Sequence, residues 1–129
     1  MSMERNIITM GESGYIIMPE NVDSIWMSEP ELVDLFGVIV PTLRAAIKAV
    51  YKSGVLKEYE VQKYVWLENG YHADVFGFSM IVALAFRIDS LGAEQVRNAI
   101  LERLYLRKEK TNIFFSLVCN GIKTSNCQA

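Results

Sequence analysis

Apolar residues recur at two spacings along this chain, and the switches between them mark its expected elements. Residues 6–10 (NIITM) and 15–18 (YIIM) are short apolar runs around Gly11-Glu12-Ser13-Gly14, the pattern of a β-hairpin. Polar residues 19–23 follow, then Ser24-Ile25-Trp26-Met27 as a brief third strand. From Ser28 the spacing turns helical. Leu32, Leu35 and Phe36 share one face, Ser28 is a capping residue, and Glu29 and Glu31 suit the positive start of a helix. Gly37 supplies the left-handed backbone that ends it. Pro41 fits the first turn of a second helix, whose buried stripe is Leu43, Ala46, Ile47 and Val50 and whose end is Ser53-Gly54. Two helices around a glycine turn make a helix-turn-helix over residues 28–54.

Partial alternation returns at residues 59–67 (YEVQKYVWL). Glu68-Asn69-Gly70 and the run 71–78 complete a second hairpin signal, since Asn-Gly between strand-like runs favours a tight turn. A hairpin directly after a helix-turn-helix is the order of a winged-helix domain. Residues 79–108 predict two more helices. The first is very apolar (MIVALAF), capped by Ser79 and ending near Asp89. The second is amphipathic, with Val96, Ile100 and Leu104 inward and Arg97, Glu102 and Arg103 outward. In the tail, 109–129, residues 113–118 (IFFSLV) suit a final strand or a buried segment, and the last ten residues suit a frayed end. The expectation is therefore an α+β, winged helix-turn-helix single domain with an N-terminal hairpin and short strand (6–27), a wing hairpin (59–78) and two C-terminal helices.

The length, 129 residues, is enough to bury about two-thirds of the surface. The net charge of −2 lacks the basic balance that nucleic-acid binding usually leaves, so any such contact must come from a local patch. Two cysteines, Cys119 and Cys127, form neither a disulfide framework nor a metal spacing, which fits a reducing cytoplasm. The first ten residues lack the apolar core of a signal peptide, and no apolar run nears the ~20 residues that span a bilayer. No membrane partner is expected.

Catalytic chemistry has little to stand on. His72 sits in the expected wing with no evident partner, neither cysteine has a histidine near it to activate it, and there is no phosphate loop, carboxylate pair or metal spacing. No catalytic residue, metal or cofactor is expected. The second helix is the informative element. Arg44, Lys48 and Lys52 recur every four residues, away from the buried stripe, with the small Ala45 and Ala49 beside them. Such a face can enter the major groove of double-stranded DNA, Arg44 reading guanine and the lysines holding phosphates. Three cations on a helix are also the ordinary look of a solvated face, and Val38-Ile39-Val40-Pro41 is apolar where base-reading helices usually present polar groups. Trp66 and Tyr71 flank the wing tip, as stacking groups for a partner or as cross-strand packing. Arg87 and Arg97, with Asp89 and Glu94, suit an ion-pair network between helices, or an anion site.

The order of parts resembles the RhuM-type virulence-associated proteins of bacteria across roughly residues 7–105. The likeness rests on Ile25-Trp26-Met27-Ser28, Leu35-Phe36-Gly37-Val38, then Thr42, Ile47 and Lys48, then Ser53-Gly54-Val55-Leu56. It continues through Phe86-Arg87-Ile88-Asp89-Ser90 and Gln95-Val96-Arg97, the most specific block. The resemblance implies helix-turn-helix DNA binding and puts Thr42, Arg44 and Lys48 on the recognition helix. The chain departs from the family at Ile39-Val40-Pro41-Thr42 and Ala45-Ala46, where family members carry Ser-Arg-Ser-Thr and more polar residues. The resulting expectation is a DNA-binding regulator of transcription or of a mobile element. Its contacts are Thr42, Arg44, Ala45, Lys48, Lys52 and the wing's Lys63, and it acts as a homodimer. The alternative is a protein-interaction module that keeps the fold, binds a protein partner and has lost DNA.

Overall fold

Helix ends leave backbone groups without partners, and this chain meets that need with side chains brought from far along the sequence. The structure is a computed structural model that describes residues 5–119, with side chains to Tyr105. Among the described residues it is an α+β protein with two small antiparallel sheets and five α-helices. They divide into two compact units, one ending at Arg97 and the other beginning at Asn98.

In the first unit, β1 (Thr9–Met10) pairs with β2 (Ile16–Ile17), a hairpin shorter than the apolar runs suggested. After a short 3₁₀ turn, β3 (Trp26–Ser28) leads directly into α1 (Glu29–Phe36). The Glu31 carboxylate accepts from the Ser28 backbone N–H at 2.8 Å and from its hydroxyl at 3.0 Å, the return half of a capping box. Gly37 ends α1 in the left-handed region at φ 64°, and α2 (Val40–Ser53) starts three residues later with Pro41 in its first turn. Gly54 closes α2.

Residues expected to begin a strand instead form one helical turn, α3 (Glu58–Val61), held by the Glu60 N–H on the Lys57 carbonyl. Strand β4 (Gln62–Trp66) therefore starts three residues later than Tyr59. It pairs with β5 (His72–Gly77), and β5 pairs on its other edge with β3, giving the order β3-β5-β4. Gly70, at φ 85°, turns the connection between β4 and β5.

Strand β5 runs straight into α4 (Phe78–Ala85), so Gly77 and not Ser79 holds the capping position. The helix stops four residues short of Asp89. Arg97, read as an outward charge in an ion-pair network or anion site, explains part of this. Its Nη1 donates to the carbonyls of Ala85 at 2.7 Å and Ile88 at 3.0 Å, satisfying the acceptors that the end of α4 leaves open. The last helix, α5, runs from Leu91 to Cys119 and covers residues 113–118, expected as a strand or buried tail. A helix already nucleated gains one hydrogen bond per residue added, which a short apolar run does not interrupt. Leu104, placed inward by its spacing, is 57% exposed. Residues 120–129, including Cys127 and the expected frayed end, lie outside the described residues.

The core of the first unit gathers Ile8, Ile25, Met27, Leu32, Phe36, Leu43, Val75, Met80, Ile81, Leu84 and Val96. It thus draws on every layer: β3, β5, α1, α2, α4 and the first turns of α5. Tyr51 at the end of α2 ties this body to the sheet, its hydroxyl donating to Gln62 Oε1 at 2.7 Å. Burial, then the charges of Glu58 and Asp74, push the Tyr51 hydroxyl up to about 12. A raised folded-state value favours the neutral phenol, so its stabilising effect is complete below the free value of 10.0 and lost as the pH climbs toward 12. Tyr51→Phe is accordingly expected to flatten the decline in stability between pH 10 and pH 12, measured by denaturant unfolding at a series of alkaline pH values.

Candidate nucleic-acid interface

The buried stripe of α2 turns its opposite face outward. Leu43, Ala46, Ile47 and Val50 are in the core, while Pro41, Thr42, Arg44, Ala45, Lys48 and Lys52 are exposed. Five of the six expected contact residues therefore lie on one open helix surface. Lys48 and Lys52 have no ion-pair partner among the described residues, so both ammonium groups are free to meet an anion.

Arg44 is different. It reaches back to the first turn of α1, where Nε donates to Glu29 Oε2 at 3.0 Å and Nη2 to Glu29 Oε1 at 2.9 Å. This two-pronged pair raises the Arg44 pKa through hydrogen bonding to Glu29 and then through its charge. The carboxylate that occupies Arg44 is thus Glu29, a residue whose place in the sequence marks it only as a helix-start charge. The signal was present in its first-turn position, but which neighbour it faces depends on the crossing of α1 and α2.

Lys63 does not join the row on α2. Side chains alternate across a strand, and Gln62, next to it, touches Tyr51 of α2. Lys63 consequently faces the other side of the sheet, where its Nζ sits 4.2 Å from the centre of the Trp26 ring. Such a contact holds the cation against an aromatic face.

The hairpin carries an exposed aromatic surface. Tyr64, Trp66 and His72 share one face of β4 and β5, since Trp66 pairs directly with His72 and Tyr64 lies two residues before Trp66. The Tyr64 and His72 rings stack with centroids 4.9 Å apart and planes 10° from parallel, and Trp66 lies 3.7 Å from His72 on a tilt. Trp66, 47% exposed, and Tyr71, 73% exposed, therefore do not pack in a core. His72, which looked partnerless, is held between two rings.

One polar cluster has no counterpart in the sequence-based expectations. The Arg5 side chain, only 5% exposed, reaches the Trp26 carbonyl at 2.9 Å, both oxygens of Glu31, and Glu68 Oε2 at 3.0 Å. One guanidinium so joins the N-terminal segment, β3, the cap of α1 and the β4–β5 loop. Burial opposes its charge, but the bonds to Glu31 and Glu68 outweigh that and raise its pKa. Glu68 moves the other way, lowered by a hydrogen bond from its own backbone and then by Arg5. Nothing in the spacing of Arg5, Glu31 and Glu68 signals their meeting.

Clefts on the first unit offer little chemistry. One of about 340 Å³ is lined by Ile7, Ile8, Met10, Met27 and Leu35 with Glu31 and Asp34, and another of about 380 Å³ lies between Val50, Val55, Ala83 and Phe86 with Ser53 and Arg87. Among the described residues no three His, Cys, Asp or Glu side chains gather as metal ligands, and no helix is long and apolar enough to cross a membrane. No protein-family model, curated protein or solved structure matches this chain.

Proposed function

We propose that this chain is a winged helix-turn-helix protein of the RhuM-like kind, binding double-stranded DNA in the cytoplasm as a regulator of transcription or of a mobile element. The observation that carries the reading is the open outer face of α2, where Lys48 and Lys52 stand free beside the small Ala45. Small side chains let a helix approach a groove closely, and free cations one turn apart can each neutralise a phosphate. The element order supports the fold: α1, a glycine turn and α2, then a hairpin whose second strand pairs with the strand before α1. Nothing in this reading calls for a catalytic residue or a cofactor. Because a single helix face with two free lysines holds DNA weakly, the protein works as a homodimer that doubles its hold on the phosphates.

The test is binding of purified protein to a random-sequence duplex between about 50 and 200 mM salt, a range over which phosphate binding weakens steeply. Lys48→Ala/Lys52→Ala is expected to lower the log–log salt slope by about 2, close to one for each phosphate that a lysine neutralises. Glu29→Gln releases Arg44 from its partner and is expected to strengthen binding and steepen the slope by about 1. Absence of duplex binding at the lowest salt rejects the reading.

A second reading is favoured by the Tyr64–His72–Trp66 surface and by the Glu29 charge that occupies Arg44. In it the chain is a protein-interaction module that has kept the fold and lost DNA. Exposed aromatic residues of this kind are common anchors at protein interfaces.

A further inference from the structure

We infer that the exposed start of α2 reads the C5-methyl groups of thymine in the major groove, an inference that rests on the DNA reading above. In a helix-turn-helix the first residues of the second helix are those that meet base edges. Here those residues are apolar and open: Ile39 is 67% exposed and Val40 36%, with Thr42 and Ala45 exposed behind them. Guanine and adenine are distinguished in this groove by two-pronged donors and acceptors, namely Arg or Lys on guanine and Asn or Gln on adenine. The start of α2 offers only the hydroxyl of Thr42 in that role. Arg44, the nearest guanidinium, has both Nε and Nη2 engaged by Glu29.

What an apolar surface can recognise on a base edge is the thymine methyl, for which alanine and the threonine methyl are common partners. The cations set the occupant. Lys48 and Lys52 lie on the exposed face of the same helix, about two and three turns beyond Val40, where they complement the phosphates flanking a groove. An apolar protein groove would offer those two charges no partner.

The experiment enriches a random duplex pool for binding, then re-amplifies the enriched pool with dUTP in place of dTTP. This removes the methyl groups and leaves every hydrogen-bonding edge unchanged. Burying one methyl is worth about a four-fold change in affinity, so removing two of them is expected to weaken binding about fifteen-fold. In Ile39→Ser/Val40→Ala the uracil pool and the thymine pool are expected to bind nearly alike, a loss of discrimination that general weakening does not produce. Both side chains are exposed, so the variant keeps the fold. Equal binding of the two pools by the wild type overturns thymine reading while leaving DNA binding intact, as does a preference that follows cytosine 5-methylation instead. Absence of any duplex binding overturns both readings.

Discussion

Gly92→Val should destabilise the protein by on the order of 3 kcal/mol or more, enough to lower the melting temperature by roughly ten degrees and to remove much of the stability of a marginal domain. Gly92 sits in the first turn of α5, where a Cβ would lie 2.6 Å from the Phe36 carbonyl carbon and 2.7 Å from its oxygen. The obstacle is backbone at the end of α1, which cannot rotate away as a side chain would. The approach is held by Ser90, whose hydroxyl donates to the Phe36 carbonyl at 2.7 Å and accepts from the Ala93 N–H at 3.0 Å. One hydroxyl therefore caps the start of α5 and satisfies the end of α1. Circular dichroism melting of Gly92→Ala beside Gly92→Val checks the claim, because alanine normally stabilises a helix over glycine. Here alanine is expected to destabilise, and a stabilised Gly92→Ala would show that α5 does not approach α1 this closely.

Arg5→Ala is expected to remove about 2 kcal/mol, less than the figure for a fully buried pair because the Glu68 carboxylate is 60% exposed. The loss comes from leaving Glu31, already committed to capping α1, without its main cation. Arg5→Lys should recover only part, since a lysine cannot span Glu31, Glu68 and the Trp26 carbonyl with a rigid fork. The pH dependence separates this network from simple packing. The Glu68 pKa is lowered in the fold from its free value of 4.5, so its contribution is present above about pH 4.5 and disappears as the pH falls through the folded value. Urea unfolding from pH 6 to pH 3 should show a shallower acid decline in Arg5→Ala than in the wild type. Parallel curves would mean that the Arg5–Glu68 pair adds nothing to the acid decline and that Arg5 acts through its other contacts, such as the bond to the Trp26 carbonyl.

Both effects come from residues that meet across long stretches of sequence, and this separates what was legible from what was not. The helix stripes of α1 and α2, the left-handed glycines at their ends and Pro41 in its first turn follow from local chemistry. They were readable because each depends on residues within one or two turns. The start of β4 lies later than the alternation predicts because Tyr59 and Val61 fit strand spacing, while the single helical turn they form is too short to show a helical period. Of the candidate interface, the exposed row Thr42, Arg44, Ala45, Lys48 and Lys52 was legible from four-residue spacing. That Arg44 is taken by Glu29 was not, and neither was the turning of Lys63 toward Trp26.

By itself, then, the sequence determined which surfaces α1 and α2 bury, where those two helices stop, and that the second of them shows its cations to solvent. Those outcomes rest on periodicity and on single residues with restricted backbones. Only the tertiary structure decided which charges remain free. It set α1 across α2 so that Glu29 meets Arg44, folded the N-terminal segment so that Arg5 meets Glu31 and Glu68, and paired β4 with β5 so that Tyr64, His72 and Trp66 share an open face. The physical reason is that a charge reports its own sign in the sequence but finds its partner only through packing. Arg5 lies 26 residues from Glu31 and 63 from Glu68, distances over which no local pattern operates.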